Sequence, residues 1–349
     1  MSDAAATPAL RAFDDRIDHL YRRWLRSALP PTLREVARAL PHAMSFSPQP
    51  RWRTWRDVYG TPVFRALPFL IAEAFPSVPR ATLEQLGVAH VLIILLALID
   101  DRLNDRQLAF ARDTNLLRYA VEGEIHALLG TTVGPRADFW RRFRRDVSEY
   151  VDGHSTEPVL WIGRRPAYTH SHYARDSAAK TAVCRITAVA VALLGGAPPP
   201  AVRRVVALLD HYLVGMQYLD DAVDWEEDFR GGRWTYFLQL HLRPQEARRA
   251  VPVTLAALRS RVATSQVTAD FFARGSRHYA ACLRLLGAFD MPTFRDWVIH
   301  KRDRLHGMAT ARRQQQDTYR QHFVQTLTRA FDDQYPIMLR KSSSRSKRM

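Results

Sequence analysis

The chain is poor in cysteine, glycine, lysine and long apolar runs, and each shortage removes a class of protein. Only two cysteines occur, Cys184 and Cys282, far apart and each in apolar surroundings. A disulfide framework or a cysteine zinc cluster needs more thiols, closer together. Two buried free thiols in a reducing compartment are expected instead. Glycine numbers 15 in 349 residues, and no Asn-Gly or Asp-Gly pair separates alternating strands. A large antiparallel sheet needs such turns, so an all-β fold is excluded. The longest uncharged apolar run, Val91–Ile99, has nine residues, well short of the ~20 of a membrane-spanning helix. The opening segment MSDAAATPALRAFDDRID has no apolar core of a signal peptide. A cytoplasmic protein with no transmembrane segment is the expectation.

Lysine is the most telling shortage. Of 51 basic residues only four are lysine, Lys180, Lys301, Lys341 and Lys347, and 35 acidic residues leave a net charge of +16. Five of those positive charges lie in the last ten residues, a Ser-rich stretch with little to order it. Arginine suits polyanions, phosphate above all, through its planar fork of donors. It also replaces lysine in many sequences without functional reason, so charge alone decides nothing. Apolar residues make up 47% of the chain, enough to offset the entropy of ordering a large core.

What is present is helical periodicity. Leu10–Ser27 places Phe13, Ile17, Leu20, Trp24 and Leu25 on one face. Further helices are predicted over 61–76, 82–101, about 106–129, 136–151, 169–194, 200–229, 245–263, 267–287 and 292–330, with residues 44–60 least regular. Pro135, the run Gly195–Pro200, Gly231-Gly232 and Pro292 punctuate them. The stretches 82–99 and 178–194 are apolar nearly all round, as helices buried on every side are. Neither repeats nor an internal linker divides the chain. An all-α fold follows, a single large helical bundle over 1–335 with a basic, disordered tail over 336–349.

Two acidic clusters terminate apolar helices. The first is Asp100-Asp101-Arg102-Leu103-Asn104-Asp105; the second runs from Gln217 through Asp220, Asp221 and Asp224 to Asp228. At i, i+4 and i+8, Asp220, Asp224 and Asp228 are expected along one face. Carboxylates stacked at the end of a buried helix repel unless something positive compensates. One compensator is a hard divalent cation such as Mg²⁺, shared between carboxylates and substrate phosphates. The other is the abundant arginine, pairing with solvated helix ends. Lys180, the only lysine in the first 300 residues, opens an apolar helix in Ser177-Ala-Ala-Lys180-Thr181-Ala182. It either snorkels to solvent or meets an anion. Arg233 follows the second cluster after a glycine pair that lets backbone approach a ligand.

Taken in order, these motifs resemble those of the class I trans-isoprenyl diphosphate synthases, which share the isoprenoid synthase fold with class I terpene synthases. The resemblance covers residues 60 to 240. It implies a central active-site cavity in the bundle and a site of three Mg²⁺ ions holding a prenyl diphosphate. Asp100, Asp101 and either Asn104 or Asp105 match the first metal motif; Asp220, Asp221 and Asp224 match the second. Lys180, Thr181, Gln217 and Arg233 match diphosphate-binding positions, and Asp100, Asp101, Asp220, Lys180 and Arg233 stand as the catalytic set. The fold also makes a homodimer plausible.

The departures bear on the reaction. Chain-elongating members carry a lysine–arginine motif near the N-terminus for isopentenyl diphosphate. Here Phe64-Arg65-Ala66-Leu67-Pro68 keeps only its outline. The arginine pair that follows the first acidic motif is also missing, Arg106 and Arg112 standing apart. A second diphosphate would lack its counter-charges. The sequence therefore favours a terpene synthase that ionises one prenyl diphosphate, with a prenyltransferase as the alternative. The squalene or phytoene type and a silent prenyltransferase subunit are smaller branches. For the carbocation, Trp161, Tyr212, Tyr218, Trp225, Trp234 and Phe237 are candidate pocket aromatics. No G-x-S-x-G, H-E-x-x-H, Walker A or G-x-G-x-x-G motif occurs. Nucleic-acid binding would leave the acidic helix ends unexplained, and no nucleic-acid partner is expected.

Overall fold

The computed structural model describes residues 7–44, 54–104, 111–162, 168–249 and 251–345, and every regular element among them is helical. The chain opens with α1 (Pro8–Ala28) and α2 (Pro31–Ala43), then three short helices, α3 (Trp55–Val58), α4 (Pro62–Arg65) and α5 (Leu67–Ala72). Longer ones follow: α6 (Arg80–Asn104), α7 (Arg112–Val133), α8 (Ala137–Ile162) and α9 (His170–Lys180). A tight 3₁₀ turn at Ala182–Arg185 leads into α10 (Ile186–Leu194) and then α11 (Pro199–Arg230). The chain closes with α12 (Tyr236–Leu240), α13 (Pro244–Arg249), α14 (Leu255–Thr264), α15 (Gln266–Leu286) and α16 (Pro292–Arg345).

Local chemistry sets the ends of these helices. The Thr7 hydroxyl accepts from the Leu10 N–H at the start of α1, and prolines occupy the first turns of α2, α4 and α11. There proline's missing N–H costs no helical bond. On α1, Phe13, Ile17, Trp24 and Leu25 are buried as the periodicity predicts and Leu20 is half-buried, joined by Leu10 and Tyr21. One contiguous apolar core runs from Leu10 to Ala309.

Three predicted helices are divided. Residues 61–76 break at Ala66, because a helix running through Pro68 would drive its ring against the carbonyl of Phe64. The 245–263 stretch parts into α13 and α14 around Pro252. The 169–194 stretch bends by 61° at the turn after Lys180. At the other end, α16 continues through Arg345, across most of the 336–349 segment expected as a separate tail. Arginine, leucine, methionine and lysine are good helix formers, and basic residues suit a helix C-terminus.

The centre of the bundle is α6 and α10, with the first half of α11. Residues Leu86–Leu95 of α6 and Ile186–Ala192 of α10 are buried throughout. By length and composition α6 could cross a membrane, but 61% of its apolar window is buried inside the bundle. Its central His90 is enclosed, bonding the Val63 carbonyl oxygen at 2.7 Å and the Thr187 hydroxyl at 2.9 Å. It reads as a core helix. The acidic ends of α6 and α11 emerge from this core on the same side, opposite the bend between α9 and α10.

Candidate active site

The two acidic ends and the α9 bend surround one cavity of about 340 Å³. Among the described residues, seven carboxyl groups line it, Asp101, Asp176, Asp220, Asp221, Asp224, Glu227 and Asp228, against three cationic side chains, Arg102, Lys180 and Arg233. The surplus of negative charge is the site's dominant electrostatic feature. Opposite, Phe64, Ile94, Ala97, Leu98 and Met216 form an apolar wall.

The α6 end is largely compensated by the protein itself. Asp100 accepts from Arg118 at 2.6 Å and from the Tyr150 hydroxyl at 3.0 Å, and it is not among the residues lining the cavity. Asp101 does line it and meets the Lys180 ammonium at 3.3 Å. Burial works against its ionisation, yet the charge and hydrogen bond of Lys180, together with His154 and Arg102, outweigh burial and hold its pKa below the ordinary value. Asn104 is exposed, its amide 2.9 Å from His154 Nδ1. Asp105, the alternative metal ligand, lies outside the described residues.

The α11 end is different. Asp221 is buried and accepts from Gln217 at 2.7 Å and from the Tyr173 hydroxyl at 3.0 Å. Burial, then the charge of Asp228, pushes its pKa up to about 8. Asp220 reaches into the cavity, and burial with the neighbouring charge of Asp224 raises it to about 6. Asp224 is raised as well, through burial and Glu227. Asp220, Asp224 and Asp228 all line the cavity, as their i, i+4, i+8 spacing predicts. Seven residues advance a helix by nearly two whole turns, so Asp228 also falls in line with Asp221, and both are buried.

The helix end itself places Arg233. Gly232 adopts φ +76, where only glycine is unstrained. The Gly232 N–H bonds the Phe229 carbonyl and the Arg233 N–H that of Asp228, a Schellman closure. This folds the Arg233 side chain back onto Asp228, with Nη2 at 2.8 Å. Lys180 is placed by a close helix crossing. A Cβ on Gly153 of α8 would lie 2.7 Å from the Lys180 backbone nitrogen, so no larger residue lets α8 approach. Thr181 follows at the bend, its hydroxyl donating to the Ser177 carbonyl at 2.9 Å while lining the cavity.

Lys180, Thr181, Gln217, Arg233, Asp101, Asp220, Asp221 and Asp224 therefore come together on one cavity, and Asp100 stands behind it. Sequence reasoning missed Arg102, which lies close enough to draw down both Asp220 and Asp224. It also missed the aromatics. Phe64, Tyr168 and Tyr173 line the cavity, whereas Tyr212, Tyr218, Trp225, Trp234 and Phe237 do not. The Trp161 side chain lies outside the described residues. Tyr173 stands seven residues before Lys180, two turns up the same face, and that spacing was the available signal.

An all-oxygen donor set with surplus negative charge fits a hard divalent cation. Among the described residues, no three acidic, histidine or cysteine side chains come close enough to hold an ion by themselves. That also fits Mg²⁺, which keeps waters and is commonly shared with substrate phosphates.

No family model and no curated protein matches this chain. Solved structures do. It is similar to a decaprenyl diphosphate synthase from Rhodobacter capsulatus, with TM-score 0.67 and 14% identity over 85% of this chain and 97% of the other. A geranylgeranyl pyrophosphate synthase from Lactobacillus brevis follows with TM-score 0.64 and 16% identity, covering 84% and 96%. A polyprenyl synthase from Caulobacter crescentus, solved with calcium and isoprenyl diphosphate, has TM-score 0.58 and 16% identity over 84% and 97%. The all-helical bundle and these matches together give the chain the isoprenoid synthase fold, as found in the prenyl diphosphate synthases.

Proposed function

We propose that this chain is an isoprenoid synthase that ionises an allylic prenyl diphosphate. The observation that carries the reading is the carboxylate-rich cavity shared by α6 and α11, faced by Lys180 and Arg233 and backed by an apolar wall. Asp101, Asp220, Asp221 and Asp224, with Asn104 beside them, are the residues that would hold Mg²⁺. When bound, the metal supplies Lewis-acid polarisation of the diphosphate oxygens.

The chain's own residues do the rest. Lys180 and Arg233 exchange their present carboxylate partners, Asp101 and Asp228, for the leaving diphosphate. Their charge then stabilises the oxygens as the carbon–oxygen bond breaks. Gln217 and Tyr173 fix the Asp221 carboxyl from two sides. Phe64, Ile94, Leu98 and Met216 receive the prenyl chain and keep water from the carbocation. The faces of Tyr168 and Tyr173 offer it negative charge without a nucleophile.

Two fates are open to that carbocation. The structural neighbours are prenyl diphosphate synthases, which supports transfer to a second prenyl unit over the cyclisation that the sequence favoured. One observation supports cyclisation. Arg65, the remnant of the acceptor motif, is buried and bound to Asp14 at 2.9 Å and to the Tyr59 carbonyl at 2.9 Å. It has no free donor fork for a second diphosphate. An assay of geranyl, farnesyl and geranylgeranyl diphosphate with Mg²⁺, each with and without isopentenyl diphosphate, separates the fates. Longer diphosphates formed only with isopentenyl diphosphate establish the transferase. Hydrocarbon or alcohol from one substrate alone establishes the cyclase. Absence of diphosphate release under every condition overturns the reading.

A further inference from the structure

Helices α9, α11 and α15 enclose a second cavity, of about 330 Å³, on the far side of an aromatic layer. Its chemistry is the reverse of the first. Arg274, Arg277, His170, His211 and His278 line it, and no carboxylate does among the described residues. Tyr218 lines this second cavity, its hydroxyl 3.2 Å from His170 Nδ1, and its ring packs against Tyr173, which lines the first, at 4.8 Å between centroids.

Neither Arg274 nor Arg277 forms an ion pair among the described residues, whereas Arg185, Arg233 and Arg261 each grip a carboxylate. The Arg274 Nε is buried with no hydrogen-bond partner. Asp270, one turn earlier on α15, is engaged with Arg313 at 3.3 Å. Arg274, with its buried and unpartnered Nε, and the exposed Arg277 thus line one concave space, where an anion would supply the missing partner.

The histidines complete the lining without adding charge. His211 and His278 meet through their Nδ1 atoms at 3.1 Å, so one ring carries its proton there and the other on Nε2. Burial holds all three rings below the ordinary histidine range, helped at His170 and His211 by arginines and at His278 by His211 and Arg277. One ring of the His211–His278 pair spends its only N–H on the other, which leaves the remaining N–H of the pair and that of His170 for a ligand oxygen.

We propose that this crevice is a second ligand site, specific for a phosphate group and separate from the carboxylate cavity. Arginine forks bind phosphate oxygens in pairs, and neutral imidazoles supply the remaining donors. The occupant is either a free inorganic anion or the phosphate head of a small metabolite. The inference does not rest on the proposed reaction, because the residues that carry it lie outside the carboxylate cavity.

Titration calorimetry of the full chain in metal-free buffer reads the site directly, using sodium phosphate, sodium diphosphate and glycerol 3-phosphate. Wild type should bind one equivalent saturably, and the Arg274→Gln/Arg277→Gln double variant should bind at least about tenfold more weakly. Arg277 is exposed, so Arg277→Gln alone guards against misfolding and should still weaken binding about threefold or more. Asp220→Asn should bind as wild type does. Tighter binding of glycerol 3-phosphate than of phosphate supports the site and assigns it to a metabolite head; the reverse supports it and assigns a free anion. No saturation by roughly 10 mM, equal binding by both arginine variants and wild type, loss of binding in Asp220→Asn, or equal affinity for chloride would each overturn the proposal.

Discussion

The ends of α6 and α11 look alike in sequence, yet the protein treats their carboxylates in opposite ways. At the α6 end, Arg118 and Tyr150 hold Asp100, Lys180 holds Asp101, and His154 takes the Asn104 amide. At the α11 end, Asp220 and Asp221 are raised to about 6 and about 8 by burial and by each other's neighbours. The first segment is tied to cationic and hydroxyl partners. In the second, burial favours a proton on Asp221 and, at lower pH, on Asp220, which a cation can displace. A count of aspartates would rate the two equally, and the partners on α7, α8 and α9 make the difference.

The largest effect should come from breaking the unsatisfied side. Asp220→Asn is expected to lower Mg²⁺-dependent diphosphate release by roughly a thousandfold, against about tenfold for Asp100→Asn, since only Asp220 faces the cavity. Equal losses in a single-turnover assay would remove the distinction. Lys180→Met, which takes away the cation nearest both segments, should cost about a hundredfold in the same assay. By contrast, Arg118→Met should leave turnover within about threefold and lower Tm by roughly 2 °C, as loss of one half-exposed ion pair does.

Acidity sharpens the comparison further. Asp220 and Asp221 hold protons more tightly folded than at the ordinary value of 3.8. At these two groups the folded state binds more protons than the unfolded chain, so their contribution to metal-free stability falls as pH rises from about 4 to about 8. Binding Mg²⁺ with diphosphate expels those protons, so its stabilising effect should grow over the same window. Thermal melts at several pH values check both slopes. Asp221→Asn should flatten the upper part of the curve. The smallest effect belongs to Asn104→Asp, an exposed change expected to alter the Mg²⁺ requirement by about threefold or less, read from metal titrations of activity.

The sequence made the helices and the acidic ends legible because both depend on local spacing. Apolar residues at helical period located α1, α6 and α11, and the i, i+4 aspartates exposed their own cost. Proline explains the divided stretches only after the fact, since Pro68 and Pro252 could equally have sat in a first turn. Neither the partners of Asp100 nor the entry of Arg102 into the cavity could be read. Arg118 and Tyr150 lie 18 and 50 residues away, and only tertiary packing brings them to Asp100. The pocket aromatics failed for a related reason. Tyr212 and Phe237 are fully buried, which helix position within the bundle decides, not residue type.

The Asp14–Arg65 pair carries a consequence for the smallest piece of this chain that can stand alone. Both groups are almost completely enclosed, at 3% and 2% side-chain exposure. A chain shortened by α1 would keep the guanidinium and lose its carboxylate, at a cost of about 3–5 kcal/mol, before counting the apolar face that leaves with it. The minimal folding unit therefore begins before Asp14, at a boundary drawn by one enclosed charge.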